Sequence, residues 1–241
     1  MSQIKVEYIN HCGDDLSVVN AARCSFDKES EWEILCDGMC FTCECEGNNK
    51  KLKDSDAKLI NYLSSHKHYS PFNHSFISVR VKAPVFVARQ LVKHKFMPWN
   101  EVSRRYVKGE VEFYKTDGWR KSAENVKQGS STETISKYLD EFDCYPRDIE
   151  TDISVHEDNS LELYNHLINL GVCAEQARQV LPQSMMTTWV WSGTLGAFCD
   201  MLKLRLDPHT QYETRLVAQE VAKIVEELFP VSYKALVGEV K

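Results

Sequence analysis

From Ile77 to Lys82 apolar and polar residues alternate strictly, with Ile77, Val79 and Val81 set against Ser78, Arg80 and Lys82. A period of two places the branched residues on one face of a strand, so this segment has to lie with that face on a core and the other toward water. Pro84 then starts a helical pattern. That helix is expected to run to about Met97, because Pro98 disfavours helical geometry in the residue before it.

The rest of the chain is arranged around this strand and helix. Val6 to Tyr8 and the stretch Leu16 to Phe26 come first, the latter read as a short helix carrying Ala21, Ala22 and Arg23 toward Ser25. A further helix is expected from about Leu161 to Leu181, capped by Ser160 and interrupted near Gly171. Trp191, Leu195, Phe198 and Leu202 recur at helical spacing and read as one buried helical face. Thr210-x-x-Glu213 has the form of a capping box opening a last helix, along which Val217, Val221, Ile224 and Leu228 repeat the pattern. Residues 27–56 and 121–159 are polar and read as insertions within a single domain spanning residues 1–241. With 43% hydrophobic residues among 241, such a chain has ample material for a core.

Charge and cysteine usage exclude several classes. A formal net charge of −6 argues against general nucleic-acid binding. Neither a membrane-length apolar run nor the basic start and apolar stretch of a signal peptide occurs, so a soluble, cytoplasmic protein is expected. Nine cysteines then read as thiols rather than a disulfide framework. Cys36, Cys40, Cys43 and Cys45 cluster, but their spacing lacks the paired C-x2-C knuckles of a strong zinc site. They read as reduced cysteines in a loop or hairpin, and no metal site is expected.

The segment Gln90 to Tyr106 reads QLVKHKFMPWNEVSRRY. Between Arg80 and Lys108 there are eight Lys/Arg and a single acid, Glu101. A basic field inside an acidic chain points to a bound anion, most simply phosphate. Phe86, Gln90 and Lys93 fall at spacings of four and three, which would present an amide and an ammonium on one helical face. Pro98 to Arg105 reads as a loop leaving that helix, where binding groups are commonly held.

Several separated motifs together resemble the flavin-dependent thymidylate synthases: AARCSF at 21–26, HKHYSPFNH at 66–74, VKAPVFVARQ at 81–90, the KHK and NEVSRRY pieces, EQARQVLP at 175–182 and LRLDPHTQYETR at 204–215. They keep the family's order and span most of the chain outside the two polar stretches. The resemblance implies a mixed α/β (α+β) subunit with an antiparallel sheet and long helices. It further implies a homotetramer with active sites where subunits meet. The implied reaction methylates C5 of dUMP, with methylenetetrahydrofolate as carbon donor, FAD as hydride carrier and NADPH as reductant.

By the same resemblance, substrate binding falls to Gln90, Glu101, Ser103, Arg104, Arg105, Arg178 and Arg205, with Arg205, Glu101 and Ser103 as the catalytic group. Flavin binding falls to Ser25, His68, Ser70, Lys93, His94, Lys95, Asn100, Glu101, Thr194, Asp200 and His209. Guanidinium groups suit phosphate because they offer paired, planar donors. The chain departs from the family pattern in three places. Lys93-His94-Lys95 replaces two arginine forks by point charges, Met97-Pro98-Trp99 replaces a smaller stretch, and Thr194, Gly196 and Asp200 stand where Asn, Arg and Asn are common. A pyrimidine hydroxymethylase on the same scaffold, or a nucleotide-binding homologue without catalysis, therefore stays open on the sequence.

Overall fold

The computed structural model describes residues 3–35, 50–107, 109–124, 129–139 and 144–238. Cys36, Cys40, Cys43 and Cys45 lie outside the described residues. One four-stranded antiparallel sheet organises the chain: strands β1 (Lys5–Cys12), β2 (Phe76–Pro84), β3 (Trp99–Glu101) and β4 (Met186–Thr194) lie in the order β1-β2-β4-β3. The helices are α1 (Asp15–Arg23), α2 (Asp54–Ser65), α3 (Val85–Leu91), α4 (Ile149–Asn169), α5 (Ala174–Ala177), α6 (Leu195–Arg205), α7 (Tyr212–Leu228) and α8 (Pro230–Leu236).

The alternation that marked β2 is what orients the sheet. Ile77, Val79, Val81 and Ala83 are fully buried, and across β4 Val79 faces Trp191 and Val81 faces Trp189. Helices α3, α6 and α7 pack on this sheet. Ser78 and Ser192 meet hydroxyl to hydroxyl at 2.9 Å, and Arg80 pairs with Glu7 at 3.7 Å. Apolar and polar faces on an antiparallel sheet are the arrangement a period of two requires.

Several expected boundaries are overturned. Trp191 belongs to β4, because the run Thr187 to Trp191 is built from β-branched and aromatic residues that suit a pleated surface. Its spacing to Leu195 and Phe198 is a coincidence of a strand running into α6, and its ring meets Phe198 edge-on at 5.6 Å. Helix α3 stops at Leu91, six residues short of Met97, and Phe96 adopts a left-handed backbone (φ 61°). The chain reverses there so that Pro98 to Glu101 can pair with β4: the expected loop begins as strand β3.

Helix α4 begins at Ile149, twelve residues before Leu161, because Asp148 accepts from the Thr151 backbone N–H at 3.0 Å. Ser160 lies inside that helix and donates to the His156 carbonyl instead of capping. Gly171, with φ of 89°, follows the end of α4. The capping box at Thr210 is absent too: Thr210 Oγ1 donates back to the Leu204 carbonyl at 2.9 Å, and α7 starts without a side-chain cap. Helix α8 is capped from across the molecule by buried Asp15, which accepts from the Val231 and Ser232 backbone N–H groups at 2.9 Å each. Among the described residues, no helix is long and apolar enough to cross a membrane.

Candidate functional site

Gln90 sits on the last turn of α3, half-buried beside α7, where Thr214 Oγ1 donates to its Oε1 at 3.1 Å and its Nε2 donates to Gln211 Oε1. The neighbouring Leu91 is fully buried, which pins the turn carrying Gln90 to the core. On the opposite wall α6 ends at Arg205. Gln90 and Arg205 line one cavity of about 580 Å³, together with Lys203, Asp207, His209 and Gln211.

Arg205 does not stand alone. Its Nε donates to His94 Nε2 at 3.0 Å, joining residues 111 apart in sequence. His94 reaches it because the chain leaves α3 in a turn, with the His94 N–H bonded to the Leu91 carbonyl at 3.1 Å. Accepting at Nε2 leaves the imidazole proton on Nδ1. Burial, and then the adjacent Arg205 charge, push the His94 pKa down to about 4. Burial likewise holds the Arg205 guanidinium below its ordinary value.

The sign of the resulting pH dependence follows from that depressed value. Between pH 6.5 and about 4 the unfolded chain binds a proton at His94 that the folded chain refuses. Stability contributed by the neutral, acceptor form is therefore full above pH 6.5 and is lost as pH falls toward 4. NMR of the His94 imidazole is expected to show no titration between pH 8 and 5. A midpoint near 6.5 would show that neither the burial of His94 nor its contact with Arg205 holds in solution.

His94 also lines a second groove of about 560 Å³ with Tyr69, Lys95, Phe96, Thr194 and Asp200. The His94–Arg205 hydrogen bond thus joins the cavity, which Arg205 lines, to the groove, which His94 lines. Thr194 caps α6, its Oγ1 accepting from Ala197 N at 3.2 Å and donating to Asn73 Oδ1 at 2.8 Å. At position 196 a Cβ would come within 2.6 Å of Asn73 Oδ1, so glycine there admits the Asn73 side chain rather than merely weakening the helix. Asp200 is paired with Lys203 at 3.3 Å, which offsets its charge.

A third groove, of about 1150 Å³, holds Ser25, His68 and Ser70 and shares Tyr69 with the second. The 3-10 turn Ser70–Asn73 and the short turn Cys24–Phe26 after α1 place Ser70 and Ser25, while the His68 N–H is held by the Leu63 carbonyl at 2.8 Å. Arg23, on the same wall, is held by fully buried Asp56 of α2 at 2.5 Å. Asp56 also accepts from Ser30, so the end of the expected 27–56 insertion is a core anchor.

Other expected residues lie apart. Glu101, on the edge strand, accepts from Thr187 Oγ1 at 2.8 Å and from Trp99 Nε1 at 3.1 Å, while Trp99 stacks on Trp189 at 4.3 Å. Asn100 and Lys93 are exposed. Ser103 begins a turn whose Arg104 donates to the Gly109 and Glu110 carbonyls at 2.6 Å each, and whose Arg105 donates to Tyr106 OH at 2.9 Å. Arg178 is exposed on the short turn after α5, its Nε 3.4 Å from the Glu175 carbonyl. None of Glu101, Ser103, Arg105 and Arg178 lines the Gln90–Arg205 cavity. Sequence reasoning did not assign Gln211, Glu213 and Arg120 to the site: Gln211 accepts from Gln90, and Glu213 links Gln211 to Arg120.

Comparison with known proteins bears on the same region. Residues 7–231 match the family described as thymidylate synthase complementing protein. A flavin-dependent thymidylate synthase of Thermus thermophilus is 34% identical over 230 residues, covering 95% of this chain and 74% of its own. That of Kosmotoga olearia is 33% identical over 233 residues, covering 97% and 90%. Among solved structures, the UMP/dUMP methylase PolB from Streptomyces cacaoi, bound with 5-Br dUMP, superposes with a TM-score of 0.73 at 28% identity, covering 97% of this chain and 94% of its own. With that match running through the segments that carry Gln90, His94 and Arg205, the chain belongs to the flavin-dependent thymidylate synthase family.

Proposed function

We propose that this chain converts dUMP, methylenetetrahydrofolate, NADPH and a proton to dTMP, tetrahydrofolate and NADP⁺, with FAD as the hydride carrier. The observation that carries this reading is the cavity holding Gln90 and Arg205, joined through His94 to a groove with Lys95, Thr194 and an apolar wall. The names of the relatives support dUMP as substrate and a flavin as cofactor.

In this reading Arg205 acts on the pyrimidine. C5 of uracil becomes nucleophilic only as negative charge gathers on the ring carbonyls, and a guanidinium fixed by a neutral acceptor stabilises that charge without having to reorganise. His94 supplies the acceptor and adds no competing positive charge. Gln90 offers one remaining N–H and one remaining lone pair to the nucleotide.

The residues of the second and third grooves fit FAD. Lys95 provides a cation for the pyrophosphate, Ser70 provides a hydroxyl, Thr194 lines the groove with its own hydroxyl proton engaged by Asn73, and the exposed rings of Phe96 and Tyr69 provide flat apolar faces. Ser25, His68 and Asp200 line the same two grooves and complete that set. Bound FAD, reduced by NADPH, supplies the hydride that turns the transferred methylene into a methyl group. Because Glu101, Ser103, Arg105 and Arg178 lie away from Gln90 and Arg205, a complete site requires residues from neighbouring subunits, as in a homotetramer.

Anaerobic incubation with dUMP, methylenetetrahydrofolate, FAD and NADPH, followed by mass spectrometry of the nucleotide, tests the reading. dTMP that requires both FAD and NADPH is expected. Hydroxymethyl-dUMP, or unchanged dUMP from a protein that binds it, would overturn the proposal.

A further inference from the structure

Gln90 is held at the end of a relay that starts in a part of the chain with no assigned chemistry. Its Nε2 donates to Gln211 Oε1; Gln211 Nε2 donates to Glu213 Oε2 at 3.1 Å; and Glu213 Oε1 accepts from Arg120. At the far side, Thr214 Oγ1 donates to Gln90 Oε1 at 3.1 Å. Glu213 is only 4% exposed, so its oxygens have little recourse to water.

The relay has one polarity, and Glu213 sets it. A carboxylate beside a guanidinium accepts at both oxygens and donates from neither. Gln211 must therefore turn its NH₂ toward Glu213 and its carbonyl toward Gln90. Gln90 must in turn point its NH₂ at Gln211 and its carbonyl at Thr214. An amide left to itself flips easily, because its two ends have nearly the same shape, whereas this one has a donor at one end and an acceptor at the other.

We infer that Glu213, locked by Arg120, is a positioning residue that fixes the amide orientation of Gln90 and so decides where donor and acceptor are presented to the nucleotide. Arg120 reaches the same cavity by a second route: its Nε donates to Ser130 Oγ at 2.9 Å, and Ser130 adjoins Gly129, which lines the cavity. Its guanidinium also lies 4.6 Å over the Tyr212 ring, which fixes it against the start of α7. The inference rests on the reading of this cavity as a dUMP site.

A purely structural ion pair would change stability and leave the nucleotide affinity of the folded protein alone. The test is therefore calorimetric titration of dUMP into the wild type, Gln90→Ala, Glu213→Gln, Gln211→Leu and the two double variants with Gln90→Ala. Glu213→Gln lets the relay run in either direction and is expected to weaken binding about 5- to 10-fold, the worth of one oriented hydrogen bond. The same change in the Gln90→Ala background is expected to cost nothing further, because the residues act as one unit. Gln211→Leu leaves the Arg120–Glu213 pair intact and is expected to give the same non-additive loss, so the answer does not hang on Glu213→Gln folding. Losses that add to that of Gln90→Ala, or a Gln211→Leu protein that binds like the wild type, would overturn the relay alone. A wild type that binds no dUMP overturns the cavity reading and the relay with it.

Discussion

Arg205→Ala is expected to lower dTMP formation by about 10²- to 10³-fold, the usual loss when a fixed donor to a developing oxyanion is removed. Flavin retention on gel filtration should stay close to that of the wild type, because the side chain lines the Gln90 cavity rather than the groove with Lys95 and Thr194. Arg205→Lys keeps a charge without the planar fork and should fall between the two. The variant also reports on its partner. Without the guanidinium, the His94 pKa should rise from about 4 but not reach 6.5, since burial is the larger cause of its depression. Turnover within tenfold of the wild type would remove Arg205 from the chemistry.

The second large effect is expected at Asp56. This carboxylate is fully buried, takes a 2.5 Å contact from Arg23 and accepts from Ser30. Breaking a buried pair by deleting one partner costs about 3–5 kcal/mol. Asp56→Ala should lie near 3, because the Arg23 side chain keeps 27% exposure and recovers some hydration. Urea unfolding would measure it, and a change below about 1 kcal/mol would show that the network does not stabilise the fold. Arg23 and Ser25 line the same groove, so flavin retention should fall together with stability. Asp56→Asn, which keeps an acceptor for Ser30, should be milder in both.

Much of the fold was legible because burial imposes short periods. The alternation from Ile77 to Lys82 appears in the structure as the central strand pair, and Val217 and Val221 are buried on α7 as their spacing required. Errors came where two elements abut. Trp191 and Leu195 fit a helical spacing across a strand end, and Ser160 resembled a cap because nothing local marked Asp148 as the better one. Pro98 does bound the irregular stretch after α3, but the helix ends at Leu91, where the chain must turn for β3 to pair with β4. Such endings are settled by strand pairing, which no local window contains.

The site divides in the same way. By itself, the sequence determined which chemical groups the chain carries and which family it resembles: a basic segment in an acidic chain, an amide on a helix beginning at Pro84, and arginines spaced along the later motifs. Those are properties of residue type and order, and they survive any folding. Only the tertiary structure decided that Arg205 donates to His94 across 111 positions, that Asn73 occupies the space a side chain at 196 would need, and that Glu213 orients Gln90 through Gln211. Each of these is a hydrogen bond or a close approach between distant segments. Its direction and distance are fixed by how the helices pack on the sheet rather than by any spacing along the chain.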